Sequence, residues 1–286
     1  MSTAYPAYGA PRALPAVHRP PYRLSFAGAL AGEWVKLRTM RFTWWSTVIL
    51  VVASVGLAAM LALSAAGWVH SGVAGAAEFE GWRGVVRVNQ APALIGTVIA
   101  LVLGVLAVTS EYSSSSIKAA LTATPRRGQL FVAKALAVAL VVGVAGAVSV
   151  ALALLVNSAI LRGVGVDGSM EAAGWLAAGG VVVFLVAVAL VGVGLGFLLR
   201  SSAGGIALGL ALFLAINMMA GFLATVSPLA GALWDITPSA AGSVLWGGPA
   251  LGDSVLGSHG AAAAVLGVWV LAALGAGFMV FRSRDA

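Results

Sequence analysis

Six stretches of this chain run long enough to cross a bilayer as helices without a single Asp, Glu, Lys or Arg. A helical span needs about 20 predominantly apolar residues. The stretches predict spans at 44–66, 92–109, 135–160, 175–199, 203–225 and 261–281. Those lengths suit helices and not the shorter alternating strands of a membrane barrel. Only 9% of the 286 residues are charged and 61% are hydrophobic, against roughly 25% charged in soluble domains. The chain therefore reads as an all-α integral membrane protein and not as a soluble enzyme. With six spans assigned, little chain remains for a folded ATPase, kinase or DNA-binding domain.

The charges that do exist are placed unevenly. Of the 16 basic residues, only Arg83, Arg87 and Arg162 fall on one side of the predicted topology, leaving 16 − 3 = 13 on the other. The positive-inside rule makes that richer side cytoplasmic, with both termini on it. The net charge of +7 is thus read as topology and attraction to anionic lipid, not as a nucleic-acid surface. Residues 1–24 carry five of the ten prolines and are expected to be a disordered cytoplasmic tail, with 25–286 forming one membrane domain. There is no Cys, which excludes disulfides and thiolate metal sites. His18, His70 and His259 are scattered without ligand spacing, and no phosphate-binding loop occurs. No catalytic, cofactor or metal residue is therefore expected.

Three segments outside the spans carry pattern. In 25–43, Phe26, Leu30, Trp34 and Leu37 recur at helical spacing, with Lys36, Arg38 and Arg41 pointing elsewhere. This predicts an amphipathic helix lying in the interface; the same residues would also serve as a plain basic flank. In 110–134, Ser113 to Ser116 can cap a short helix from about Ile117, with Ile117, Ala120 and Leu121 as its apolar face and Pro125 as its stop. That helix would lie along the membrane and offer a docking surface; a solvated basic loop is the competing reading. In 226–260, Pro228, Pro238 and Pro249 divide an apolar segment with only two acids. Short helices dipping into the outer leaflet, with Trp234 and Trp246 at headgroup level, are predicted there, beside the alternative of an ordinary loop. Within the spans, Asn157 and Asn217 are read as bonding neighbouring helices. Gly192 with Gly196 and Gly205 with Gly209 form GxxxG pairs, which a chain with 37 glycines also yields by chance.

These residues resemble a known family, the permeases of type-2 ABC exporters, in particular the single-subunit permeases of high-GC Gram-positive bacteria. Three blocks carry the likeness. One is Glu33-Trp34-Val35-Lys36-Leu37-Arg38 with Trp44-Trp45. The second is Thr109-Ser110-Glu111-Tyr112 leading through Ile117-Lys118 and Leu121 to Thr124-Pro125-Arg126-Arg127 and Lys134. The third is Gly196-Phe197-Leu198-Leu199-Arg200 with Ser201 to Gly205. The chain departs from the family at Ser115-Ser116, where members usually have Gly-Thr. The resemblance implies the type-2 exporter fold, with an N-terminal interfacial helix bearing Glu33, Trp34, Lys36 and Arg38 and re-entrant external helices between spans five and six. It implies a multi-pass subunit of the bacterial plasma membrane, paired with a second permease copy or paralogue. It further implies a separate ABC ATPase subunit, holding MgATP, that docks on Glu111, Tyr112, Ile117, Lys118, Leu121, Pro125, Arg126 and Arg127. A secondary carrier or channel, and a non-transport membrane anchor or assembly protein, are the competing functions; the absence of ionisable residues from the predicted spans argues against the carrier.

Overall fold

The computed structural model describes residues 25–72, 90–114, 116, 126–166, 169–225, 227–247 and 258–283. The tail 1–24 and the docking residues Ile117, Lys118, Leu121 and Pro125 lie outside the described residues, as do Glu78, Arg83 and Pro249. Every regular element described is a helix, and six of these are long and apolar enough to cross a membrane. Backbone hydrogen bonds closed within each helix are what permit this in lipid, where no water can satisfy an exposed N–H or C=O.

The chain opens with α1 (Phe26–Thr39), capped by the Ser25 hydroxyl, which accepts from the Gly28 N–H at 3.1 Å. An extended Met40 breaks the helix, and α2 (Arg41–Ser71) follows. Then come α3 (Ala91–Ser113), α4 (Arg127–Arg162) and α5 (Ala172–Leu199). The fifth span is not one uniform helix. It divides into α6 (Ser202–Leu210), a π-helical turn at Ala211–Ala215, and α7 (Ile216–Ala224). Two short helices, α8 (Pro228–Asp235) and α9 (Pro238–Leu245), each begin on the proline that the sequence marks as a breaker. The last span is α10 (His259–Ser283).

Helix α5 is the spine of the bundle, packed against α3, α4 and α10. Its glycines make the approach close enough for backbones to touch. A Cβ on Gly192 would sit 2.6 Å from the Leu101 carbonyl oxygen of α3, and one on Gly196 would lie 2.9 Å from the Val108 Cβ. On the other side of α3, Gly205 and Gly209 of α6 meet Val105 and Leu101. Both GxxxG pairs therefore grip the same helix, α3, from two directions. A stripe of small residues at i, i+4 on α2 (Ser54, Ala58, Ala62, Ala66), all buried, does the same for α4. Conversely, Trp45, Val52, Leu63, Leu140 and Leu155 are exposed and form an apolar outer face suited to lipid.

The far end of the bundle is closed by α9 and not left as a loop. Gly242 lies against the Phe184 ring, and Trp246 packs edge-on to that ring at 4.8 Å. Trp234 is buried. Both tryptophans touch protein, Trp246 at the Phe184 ring and Trp234 beside Gly221. Asn217 accepts from the Thr237 hydroxyl at 3.3 Å and so ties α7 to α9. Asn157 is fully buried with neither its Oδ1 nor its Nδ2 hydrogen-bonded, so the helix-bonding role read for it is not made.

Candidate functional site

At the other end of the bundle, four charged side chains from three helices meet in a closed network. Glu33 and Lys36 come from α1, Glu111 from the last turns of α3, and Lys134 from the second turn of α4. The Lys134 ammonium donates to Glu33 Oε2 at 2.5 Å and to Glu111 Oε1 at 2.8 Å, with the Ala107 carbonyl at 3.4 Å. Lys36 donates to Glu33 Oε1 at 2.6 Å and to Glu111 Oε1 at 3.0 Å. Glu33, Glu111 and Lys134 are each 2% exposed or less. Two acids and two bases give zero formal charge, which is what allows the group to be buried at all.

The helices around this network differ from the sequence expectation in three ways. That expectation ends the second span at 109 and starts the third at 135 within a helix expected from about Gln129, so that Glu111 falls just past one span and Lys134 just before the other. In the structure α3 runs on through Ser113 and α4 begins at Arg127, so both residues sit inside helices and inside the protein. The predicted spans themselves hold no ionisable residue, but the helices that contain them do. The second difference concerns α1. Its inward face is Leu30, Glu33 and Leu37, packed against α4, while Trp34 and Phe26 turn outward. The apolar stripe is split: Glu33, which falls between Leu30 and Leu37 at helical spacing, faces the bundle, and Lys36 reaches into the network from its edge. The third is that Ser113 lies within α3, its hydroxyl donating back to the Ser110 carbonyl at 3.0 Å, while the helix expected from Ile117 lies outside the described residues.

The third motif block joins the same site. Arg200 caps α5 in the left-handed region (φ 51°), its N–H bonded to the Gly196 carbonyl at 3.0 Å. A non-glycine residue there costs about 1–2 kcal/mol, and the turn places the guanidinium 5.0 Å above the Tyr112 ring. One residue pair further along, the Thr109 and Ser202 hydroxyls share a hydrogen bond of 2.7 Å. Arg127 donates from Nη1 to the carbonyls of Phe281 at 3.2 Å and Arg282 at 3.1 Å, so it caps the exposed end of α10. Arg126 is the N-cap residue of α4. Between Arg127 and Lys134, Phe131 packs at a tilt on Phe197 at 4.8 Å and edge-on to Phe278 at 5.2 Å.

The match with a family model decides what this arrangement belongs to. The model described as ABC-2 family transporter protein covers residues 30–286. The chain belongs to the ABC-2 transporter family. It is a permease subunit of an ABC transporter, and the matched region includes all six spans, the ionic network and the Arg200 turn. No curated protein matches the chain.

Electrostatics in this ABC-2 permease follow from the geometry. Burial by itself would lower the Lys36 pKa, but the hydrogen bond and charge of Glu33, with Glu111 behind them, outweigh it and hold the ammonium above its ordinary 10.5. Glu111 engages both lysines through one oxygen, and its Oε2 is buried with no hydrogen-bond partner. The residue that closes the network thus keeps an unused acceptor at the end of α3, beside the segment leading to α4. The helical spacing of α1 picks out Trp34, Lys36 and Arg38 without showing where they point: Lys36 enters the network, while Trp34 and Arg38 face outward. Lys134 stands in the sequence only as the last residue of a motif block. Its burial has no signal in local sequence, because a lysine before an apolar run reads first as topology.

Proposed function

We propose that this permease is the translocation subunit of an ATP-driven exporter in the bacterial plasma membrane, both termini cytoplasmic, working as a dimer with a separate nucleotide-binding subunit. The observation that carries the reading is the four-residue ionic network. It locks α1 to the ends of α3 and α4, the two helices that flank residues 114–126. A push on that segment from a docked ATPase would be transmitted directly into α3 and α4, and through the Arg200–Tyr112 and Thr109–Ser202 contacts into α5 and α6. Among the described basic residues, all but Arg162 gather at this end, in keeping with a cytoplasmic face. The exposed apolar face of α7 (Ile216, Met218, Met219, Phe222) and of α8 (Leu229, Leu233) supplies a surface for a second permease copy.

The test is purification of the tagged chain from native membranes in mild detergent. Recovery of an ATPase, lost when residues 117–124 are replaced by a Gly/Ser linker, supports the proposal. Recovery of none overturns it. A carrier reading draws on the buried Glu111 and Lys134, since ionisable groups at membrane depth are also how proton-coupled carriers work. Gradient-driven, ATP-independent transport by the purified chain in liposomes would decide for it.

A further inference from the structure

A cleft of about 320 Å³ opens between α1, the first turns of α2 and the middle of α4. Its accessible wall is almost entirely apolar, with the Arg38 side chain at one end. Arg38, Thr43 and Thr47 line the first part; Val51, Val141 and Val148 line the rest. From Thr43 to Val51 the cleft runs about 12 Å along α2, close to the depth of one bilayer leaflet's hydrocarbon, roughly half of 30 Å. It opens sideways, because Trp44 at one end and Val144 and Val148 on α4 are well exposed. Its occupant therefore comes from the bilayer.

Exposed cations beside the apolar cleft fix the chemistry of that occupant. Arg38, which lines the cleft, and Arg41, three residues on, are both exposed, and no ion pair engages either among the described residues. Lys36, by contrast, is taken up by Glu33 and Glu111. The Trp44 indole donates to the Arg38 carbonyl at 2.7 Å and holds the corner in shape.

We propose that the cleft is a binding site for one anionic phospholipid of the adjoining leaflet. The phosphate lies against Arg38, and one acyl chain runs along Val51, Val141 and Val148. The lipid would wedge α1, which carries Glu33 and Lys36, against α4, so occupancy would govern how firmly the ionic network holds. The proposal needs only the membrane location and stands apart from the transport reading.

The experiment is native mass spectrometry of the full chain released from nanodiscs containing equal phosphatidylglycerol and phosphatidylcholine. Wild type is expected to retain phosphatidylglycerol preferentially. Arg38→Gln should cut that preference about fivefold, the share of one basic residue at an anionic surface. Val148→Trp, which fills the apolar part from its lipid-facing side, should abolish retention of either lipid. Equal retention of the two lipids by wild type, or an unchanged preference in Arg38→Gln, would overturn the site. Should Val148→Trp fail to insert, the Arg38→Gln comparison still decides.

Discussion

Lys134→Met isolates the charge that the whole ionic site depends on. Methionine keeps the length and volume of the lysine stem, so the cavity contribution is small. What is lost is the ammonium that donates to Glu33 at 2.5 Å and Glu111 at 2.8 Å. The two carboxylates, each almost fully buried, are then left to share Lys36, whose side chain is 35% exposed. Deleting one partner of a buried pair costs about 3–5 kcal/mol, and the excess negative charge puts this case at the upper end. For a soluble chain of 150–250 residues each kcal/mol moves Tm by roughly 2–4 °C, which implies a drop on the order of 10 °C. Thermal unfolding in detergent followed by tryptophan fluorescence reads it. The informative partner is Lys134→Met with Glu33→Gln, which restores neutrality and keeps the Lys36–Glu111 contact. The double variant should recover about 2 kcal/mol relative to the sum of the single costs. A cost below about 1 kcal/mol for Lys134→Met, or strict additivity in the pair, would refute the claim that charge balance holds this site together.

Other perturbations probe the packing and the helix ends. Gly104→Ala drives a Cβ into the Ala189 backbone carbonyl, which cannot rotate away; a loss of about 1–3 kcal/mol or more is expected by melting, whereas Gly56→Ala, with nothing within 4 Å, should match wild type or exceed it. Arg127→Gln removes two bonds to the Phe281 and Arg282 carbonyls, which should cost about 1 kcal/mol and speed hydrogen exchange in the last turn of α10. For Lys36 the raised pKa means that its stabilising contribution is complete below 10.5 and is lost as pH rises through the higher folded value. Wild type and Lys36→Met should therefore keep a constant stability difference from about pH 6 to 9, well below the titration of any lysine, and converge only above 10.5; a difference that titrates near neutrality would refute the assignment.

Much of the fold is legible in the sequence because apolar runs are unambiguous. Pro228 and Pro238 mark the starts of α8 and α9 through their fixed φ and missing N–H, both local properties. The helix limits are less legible, because a charged residue reads as the edge of an apolar run. Glu111 and Lys134 belong to α3 and α4 since each finds its countercharge in the other and in α1. The three motif blocks are visible separately, and nothing in their spacing shows that Tyr112 lies under Arg200 or Thr109 against Ser202.

The amino-acid sequence by itself determined that this chain forms six helices long and apolar enough to cross a membrane. Each span is a local property: an apolar run must satisfy its own backbone hydrogen bonds, and the helix does so without reference to the rest of the chain. Only the tertiary structure decided where the few charges go. A buried lysine needs carboxylates from elsewhere, and Lys134 finds them 101 residues away at Glu33 and 23 residues away at Glu111. That pairing depends on how α1, α3 and α4 pack, which glycine contacts and small-residue stripes set in three dimensions, and which the periodicity of any one helix does not contain.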